Sequence, residues 1–192
     1  MANDKSSSNI PLEAPLGREV AYPSQYDASL LFPVPRIDKR LELGLDKELP
    51  FHGGDFWNAY EMSWLNAKGK PQVAIGVFEF AFDSKCIIES KSFKLYLNSY
   101  NQTRFKNWQE VEQRLSADLS EAAKGAVSVK LCSLAEYQKK YPVIASNAVL
   151  IDDLEIEIES YDYQPELLAV EPGSAETVEE SLHSDLLKSN QQ

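Results

Sequence analysis

Between positions 56 and 66, apolar and polar side chains alternate: Tyr60, Met62 and Trp64 fall on one face, Glu61 and Ser63 on the other. After Ala67-Lys68-Gly69-Lys70, the run 72–82 alternates again. Period-2 alternation on both sides of a short Gly-containing turn predicts an antiparallel hairpin. The period then changes. Phe93, Tyr96, Leu97 and Tyr100 are spaced i, i+3, i+4, i+7, which puts them on one face of a helix starting near Glu89-Ser90, with Lys91 and Lys94 on a different face. A second helix is marked by Asn107 and Glu110 at capping-box spacing, by a stripe of Trp108, Val111, Leu115, Leu119 and Ala122, and by Gly125 as its stop. Val127, Val129 and Leu131 alternate with Ser128, Lys130 and Cys132; after a loop over 139–147, Leu154, Ile156 and Ile158 alternate with Glu155, Glu157 and Glu159. The expected order is ββααββ, an α+β fold with a four-stranded antiparallel sheet and both helices on one face. Phe78, Phe80 and Phe82 on the second strand call for a covering layer or another domain, while the glutamate row faces solvent or a polar partner.

The flanks divide differently. Residues 1–20 read as a flexible leader, too poor in apolar side chains to order themselves. Residues 21–48 read as an extended arm, because Pro23, Pro33 and Pro35 lie among Tyr22, Tyr26, Leu30, Leu31, Phe32 and Val34 and bar a helix there. The compact module is expected over 49–163, followed by an acidic linker over 164–192 with a short amphipathic piece at 178–187.

Composition sharpens this division. The chain has 192 residues and 19 Lys+Arg against 30 Asp+Glu, a net charge of −11. Twelve acids and no Lys or Arg lie between Asp152 and Asp185, so the body is neutral and the acidity belongs to the tail. With 43% hydrophobic and 10% aromatic residues the chain can bury a core. The absence of a basic cluster argues against direct nucleic-acid binding or an anionic membrane. Cys86 and Cys132 are the two cysteines, with no CxxC spacing, so neither a disulfide framework nor a zinc site is expected and a reducing cytoplasm fits. The polar N-terminus lacks a signal-peptide core, and no run reaches the roughly 18 apolar residues of a membrane span.

Few residues could carry chemistry. His52 and His183 have no second His or Cys pair beside them and read as turn and tail residues. Cys86 reads as a small buried thiol rather than a nucleophile. The segment 89–96 is richer, with a carboxylate, two hydroxyls and two ammonium groups at the start of a helix. A carboxylate at a strand-to-helix junction can accept two hydrogen bonds from a guanine-like edge, and Ser90 and Lys91 suit a phosphate. The alternative is a solvated charged helix face.

The same segment resembles a known family. Ile88-Glu89-Ser90-Lys91-Ser92-Phe93-Lys94-Leu95-Tyr96-Leu97-Asn98-Ser99-Tyr100-Asn101-Gln102-Thr103-Arg104-Phe105 closely resembles the signature of the NADPH-dependent 7-cyano-7-deazaguanine reductases, the nitrile reductases of queuosine biosynthesis in tRNA modification. Residues 22–36, Leu49-Pro50-Phe51-His52-Gly53, Tyr60-Glu61-Met62-Ser63-Trp64-Leu65-Asn66-Ala67-Lys68-Gly69 and Leu186-Leu187-Lys188-Ser189-Asn190 resemble the long, two-module form in the same order, so the likeness covers about 15–190.

The resemblance implies a tunnelling fold (T-fold), its ββααββ unit used twice. It implies that Ile88, Glu89 and Ser90 bind the deazaguanine, Glu89 gripping its edge, and that Ser90 and Lys91 contact NADPH; Lys94 matches the signature without a separate role. The implied reaction reduces the nitrile to the aminomethyl group of 7-aminomethyl-7-deazaguanine using two NADPH, with a cysteine thiolate adding to the nitrile carbon and an Asp supplying protons. In the long form the nucleophile follows Lys-Ser-Asn, and here Gln191 stands in that place. The chain is therefore expected to be the amino-terminal module of an oxidoreductase, inactive alone, with the missing C-terminal module or a homo-oligomer as partner. The alternative expectation is a non-catalytic module that binds a deazaguanine or a reductase subunit.

Overall fold

The computed structural model describes residues 23–45, 48–142, 147–162, 164–169, 172–173, 175 and 177–184. The leader 1–20, Tyr22, Tyr163 and the stretch 185–192, which includes Gln191, lie outside them. The chain forms two compact units, 1–142 and 143–192.

The first unit is mixed α+β. In chain order its elements are β1 (Pro33–Pro35), α1 (Ile37–Glu42), β2 (Gly54–Asn66), β3 (Pro71–Ala81), β4 (Cys86–Ile88), α2 (Ser90–Asn98), β5 (Arg104–Phe105), α3 (Trp108–Ala123), β6 (Val127–Cys132) and α4 (Leu134–Lys140). The main sheet has the order β5-β2-β3-β6, and β1 pairs with β4 in a separate ribbon. The hairpin β2-β3 and the pair β3-β6 are antiparallel as expected, whereas β5 runs parallel to the end of β2.

The expected fourth strand over 154–158 does not form. In the second unit Leu154, Ile156 and Ile158 are exposed, and the amides of Leu154 and Ile156 donate to Ile151 and Leu154 in local turns. Alternation makes a strand only when a neighbouring edge takes up its backbone groups. The strands of this unit are instead β7 (Val149–Leu150) and β8 (Leu182–His183), paired in parallel. The position beside β2 goes to β5, whose buried Phe105 stacks on Tyr100 at 5.2 Å.

A bulge between Ala59 and Met62 corrects the reading of β2. One extra residue reverses which face the following side chains occupy. Trp57 and Ala59 pack against the core, as do Met62 and Trp64 beyond the bulge, but Tyr60 is 61% exposed and meets Tyr137 of α4 edge-on at 5.9 Å. Helix α4, which is not expected from the sequence and whose last residues fall in the expected loop, starts with a full capping box between Ser133 and Glu136. It borders the sheet face carrying Val77, Lys130 and Cys132.

The layer demanded by Phe78 and Phe80 is supplied from within the same unit. Phe93 of α2 meets them edge-to-face at 5.1 and 6.2 Å, while Phe82 lies half-buried against Phe51. Val111, Leu115 and Leu119 of α3 complete the core with no exposed surface. Full burial of each such side chain contributes about 1.5–3 kcal/mol. At the start of α3, Asn107 accepts the Glu110 amide and the Glu110 carboxylate accepts the Lys106 amide. Its end departs from expectation, because Lys124 takes the left-handed conformation at φ 51°. Gly125 is required by space: a Cβ there would lie 2.5 Å from Ser84 Cβ.

The arm lies along the helices, and it is only partly extended. It turns once at Ala28–Leu30, where Asp27 caps the turn, and forms α1 beyond the last proline. Tyr26 and Tyr96 both donate to Asp118 Oδ2, at 2.6 and 2.7 Å, and the Tyr96 and Tyr100 hydroxyls lie 2.6 Å apart. Burial, then Asp118, pushes the Tyr26 phenol up to about 12. Burial also raises Tyr96 and Tyr100, with the neighbouring Tyr100 next in effect at Tyr96.

Folding thus favours the neutral phenols over the ordinary value near 10. The stability they contribute is fully present below about pH 10 and is lost as pH rises through the folded values, because there the unfolded chain binds fewer protons. Urea midpoints should be level up to about pH 9.5 and fall beyond it, less steeply in Asp118→Asn. A midpoint unchanged up to pH 12 would contradict the network.

Candidate functional site

The junction between β4 and α2 gathers the residues singled out by sequence. Ile88, 3% exposed, pairs with Pro33 and belongs to the core. Glu89, 8% exposed, is the N-cap of α2 with extended backbone at φ −62° and ψ 133°. Its Oε1 accepts the Lys91 amide at 2.9 Å and its Oε2 accepts the Ser92 amide at 2.7 Å. Caps are usually Ser, Thr, Asp or Asn. A glutamate serves here because both its oxygens reach the first turn, where the helix dipole favours an anion.

That geometry bears on the chemistry in two ways. Each carboxylate oxygen keeps acceptor capacity, so Glu89 can receive a planar N–H edge without releasing the helix. The amides of Lys91 and Ser92, which a helix N-terminus would offer to a phosphate, are already taken by Glu89. A phosphate contact at this end therefore rests on the Ser90 hydroxyl and the lysine ammonium groups, not on the backbone.

Ser90 is exposed and, one turn before Lys94, lines a groove of about 500 Å³ between α2 and β2. Trp57 and Phe93, edge-to-face at 5.7 Å, form its aromatic part, and Asn58, Asn98 and Asn101 add amides. Ile88, Glu89 and Lys91 are not in its lining. The volume suits a small planar molecule. Sequence reasoning missed Trp57, Asn58 and Ser92. Ser92 stood inside the motif, but nothing local announced its partner Phe32, which is 60 residues away.

The other candidates lie elsewhere. His52 is exposed in the irregular stretch before β2, and His183 is half-buried in β8 of the second unit. Cys86 is 5% exposed within β4. The Cys132 thiol donates to Ile75 O, and burial, followed by the Glu136 charge, pushes it up. Among the described residues no cluster of His, Cys, Asp and Glu could hold a metal, and no helix is long and apolar enough to cross a membrane.

Comparison with known proteins follows the same residues. The family described as nitrile reductase, 7-cyano-7-deazaguanine-reductase N-term matches residues 22–131. An NADPH-dependent 7-cyano-7-deazaguanine reductase of Bordetella parapertussis is 52% identical over 177 residues, 92% of this chain and 64% of the relative. Proteins of the same name from Cupriavidus necator and Cupriavidus metallidurans are 51% and 50% identical over 184 and 185 residues. This chain spans 66% and 65% of their lengths. The match runs from the arm through the hairpin, α2 and α3 to β6, more than half of the chain, and the chain belongs to the 7-cyano-7-deazaguanine reductase N-terminal family.

Proposed function

We propose that this chain is the amino-terminal module of an NADPH-dependent nitrile reductase that converts 7-cyano-7-deazaguanine to 7-aminomethyl-7-deazaguanine in the cytoplasm. The observation that carries the reading is the 52% identity to such a reductase over 92% of this chain. Its architecture is then a T-fold unit, completed by a second module or by further copies of the chain. The neighbour would supply the edge that residues 154–158 lack here.

In this reading Glu89 accepts the N–H edge of the deazaguanine with the acceptor capacity left after capping α2. Ile88 gives the site an apolar, water-excluding base, and Ser90 adds a hydroxyl at its rim. For the cofactor the donor set fits in kind: the Ser90 hydroxyl and the Lys91 ammonium would hold a phosphate, Lys91 as a point charge. Bound NADPH supplies the hydrides. Gln191 offers no thiolate, so the covalent step belongs to a residue outside this polypeptide. That position also supports a second reading, a deazaguanine-binding or reductase-binding module without catalysis.

Amide resonances of the full chain, followed while 7-cyano-7-deazaguanine and then NADPH are added, test the reading. The ligand should shift Ile88, Glu89 and Ser90, and the cofactor Ser90 and Lys91. Shifts confined to residues away from the β4-α2 junction would sink it.

A further inference from the structure

The arm is fastened to α2 and the following turn by one arrangement used three times. The Tyr26 amide donates to Thr103 Oγ1 at 2.8 Å, the Asp27 amide to Ser99 Oγ at 3.2 Å and the Phe32 amide to Ser92 Oγ at 3.0 Å. Each hydroxyl then donates its own hydrogen to a carbonyl three or four residues earlier. Thr103 reaches Ser99 O at 3.0 Å, Ser99 reaches Tyr96 O at 2.6 Å and Ser92 reaches Glu89 O at 2.7 Å.

At the Ser92 rung the circuit closes on the candidate site. The Glu89 amide donates to Phe32 O at 2.9 Å, so Glu89 is held at its N–H by the arm and at its C=O by Ser92. The Ser92 amide holds Oε2 of the same side chain. Ser92 and Ser99 have no exposed surface, so a hydroxyl lost from either takes the acceptor from a part-buried arm amide. The two differ in what they hold: Ser92 bonds to Glu89, and Ser99 bonds to Tyr96.

We propose that Ser92, clasped by the Phe32 backbone of the arm, is a positioning residue that fixes the Glu89 carboxylate for its ligand. The proposal rests on the reading of Glu89 as the group that grips the deazaguanine. A carboxylate that must meet two N–H groups at once tolerates displacements of only about 0.5 Å. The arm supplies that constraint by bracketing the residue on both sides of its Cα.

Ser92→Ala and Ser99→Ala, each in the full chain, test this by amide hydrogen exchange and by calorimetry with 7-cyano-7-deazaguanine. Both variants should lose stability to a similar extent. Exchange at the Glu89 and Lys91 amides should be about ten-fold faster in Ser92→Ala than in Ser99→Ala, and ligand affinity about ten-fold weaker in Ser92→Ala alone. Ser92→Cys, with a weaker donor and acceptor, should fall between wild type and Ser92→Ala, and compared with Ser99→Cys it decides the question if the alanine variant does not fold. Equal exchange at Glu89 and Lys91 in the Ser92 and Ser99 variants overturns the proposal. Equal affinity of the two variants, with the wild type binding, overturns it as well. If the wild type binds no ligand, it is the reading of the site that fails, and exchange still decides whether Ser92 positions Glu89.

Discussion

Residues 1–192, purified and supplied with 7-cyano-7-deazaguanine and NADPH, are expected to form no 7-aminomethyl-7-deazaguanine and to consume no NADPH beyond the blank. A nitrile carbon needs a thiolate within reach to become a C=N that accepts hydride. In the proposed reading Gln191 stands in the nucleophile's place, and its amide offers no thiolate. Cys86 is in β4, opposite Pro35 and 5% exposed. Cys132 pairs with Ile75 on the face of β6 turned toward α4, and burial, followed by the charge of Glu136, pushes its thiol up. Glu89, by contrast, caps the helix that packs on the opposite face through Phe93. Cys132 therefore lies across the sheet from Glu89, and Cys86 is closed off by its burial. Product detected by chromatography and abolished by Cys86→Ala or Cys132→Ala would place the nucleophile in this chain and overturn the assignment.

Much of the framework could be read from local pattern. The hairpin followed from alternation on both sides of a Gly-containing turn, and α3 from its stripe and cap. The bulge in β2 could not be read, because Tyr60, Met62 and Trp64 still alternate on paper, and the reversal becomes visible only when Trp57 and Ala59 are paired with Phe78 and Gly76. Helix α4 had a legible signal in Ser133-Leu134-Ala135-Glu136, masked by the following loop-like residues. The strand expected over 154–158 shows the converse failure: its alternation is real, but strand formation depends on a partner edge that a linear pattern does not contain. Gly125 does end α3, but close approach by Ser84 explains it and the left-handed residue is Lys124.

The candidate site divides in the same way. The motif around Glu89 was legible because its carboxylate, hydroxyls and lysines are adjacent in sequence. The capping of α2 by Glu89 and the hold of Phe32 on it were not, because a glutamate is an unusual cap and the arm arrives from far along the chain. This placement changes the chemistry expected there. The helix N-terminus is already neutralised by Glu89, so it favours a ligand that donates hydrogen bonds to a carboxylate over one that brings a phosphate to the backbone.

Calorimetric titration of 7-cyano-7-deazaguanine into wild type, Glu89→Gln and Glu89→Ala tests that conclusion most directly. Removing a charged, buried hydrogen-bond partner costs about 1.5–3 kcal/mol, so Glu89→Ala should bind about ten- to a hundred-fold more weakly than wild type. Loss of the cap also lowers stability, by about 0.5–2 kcal/mol, and Glu89→Gln separates the two effects: its amide oxygen can still cap α2, yet it lacks the charge and the second acceptor. The order expected is wild type tightest, Glu89→Gln intermediate and Glu89→Ala weakest. Equal affinity across all three folded proteins would remove Glu89 from the site and contradict the account.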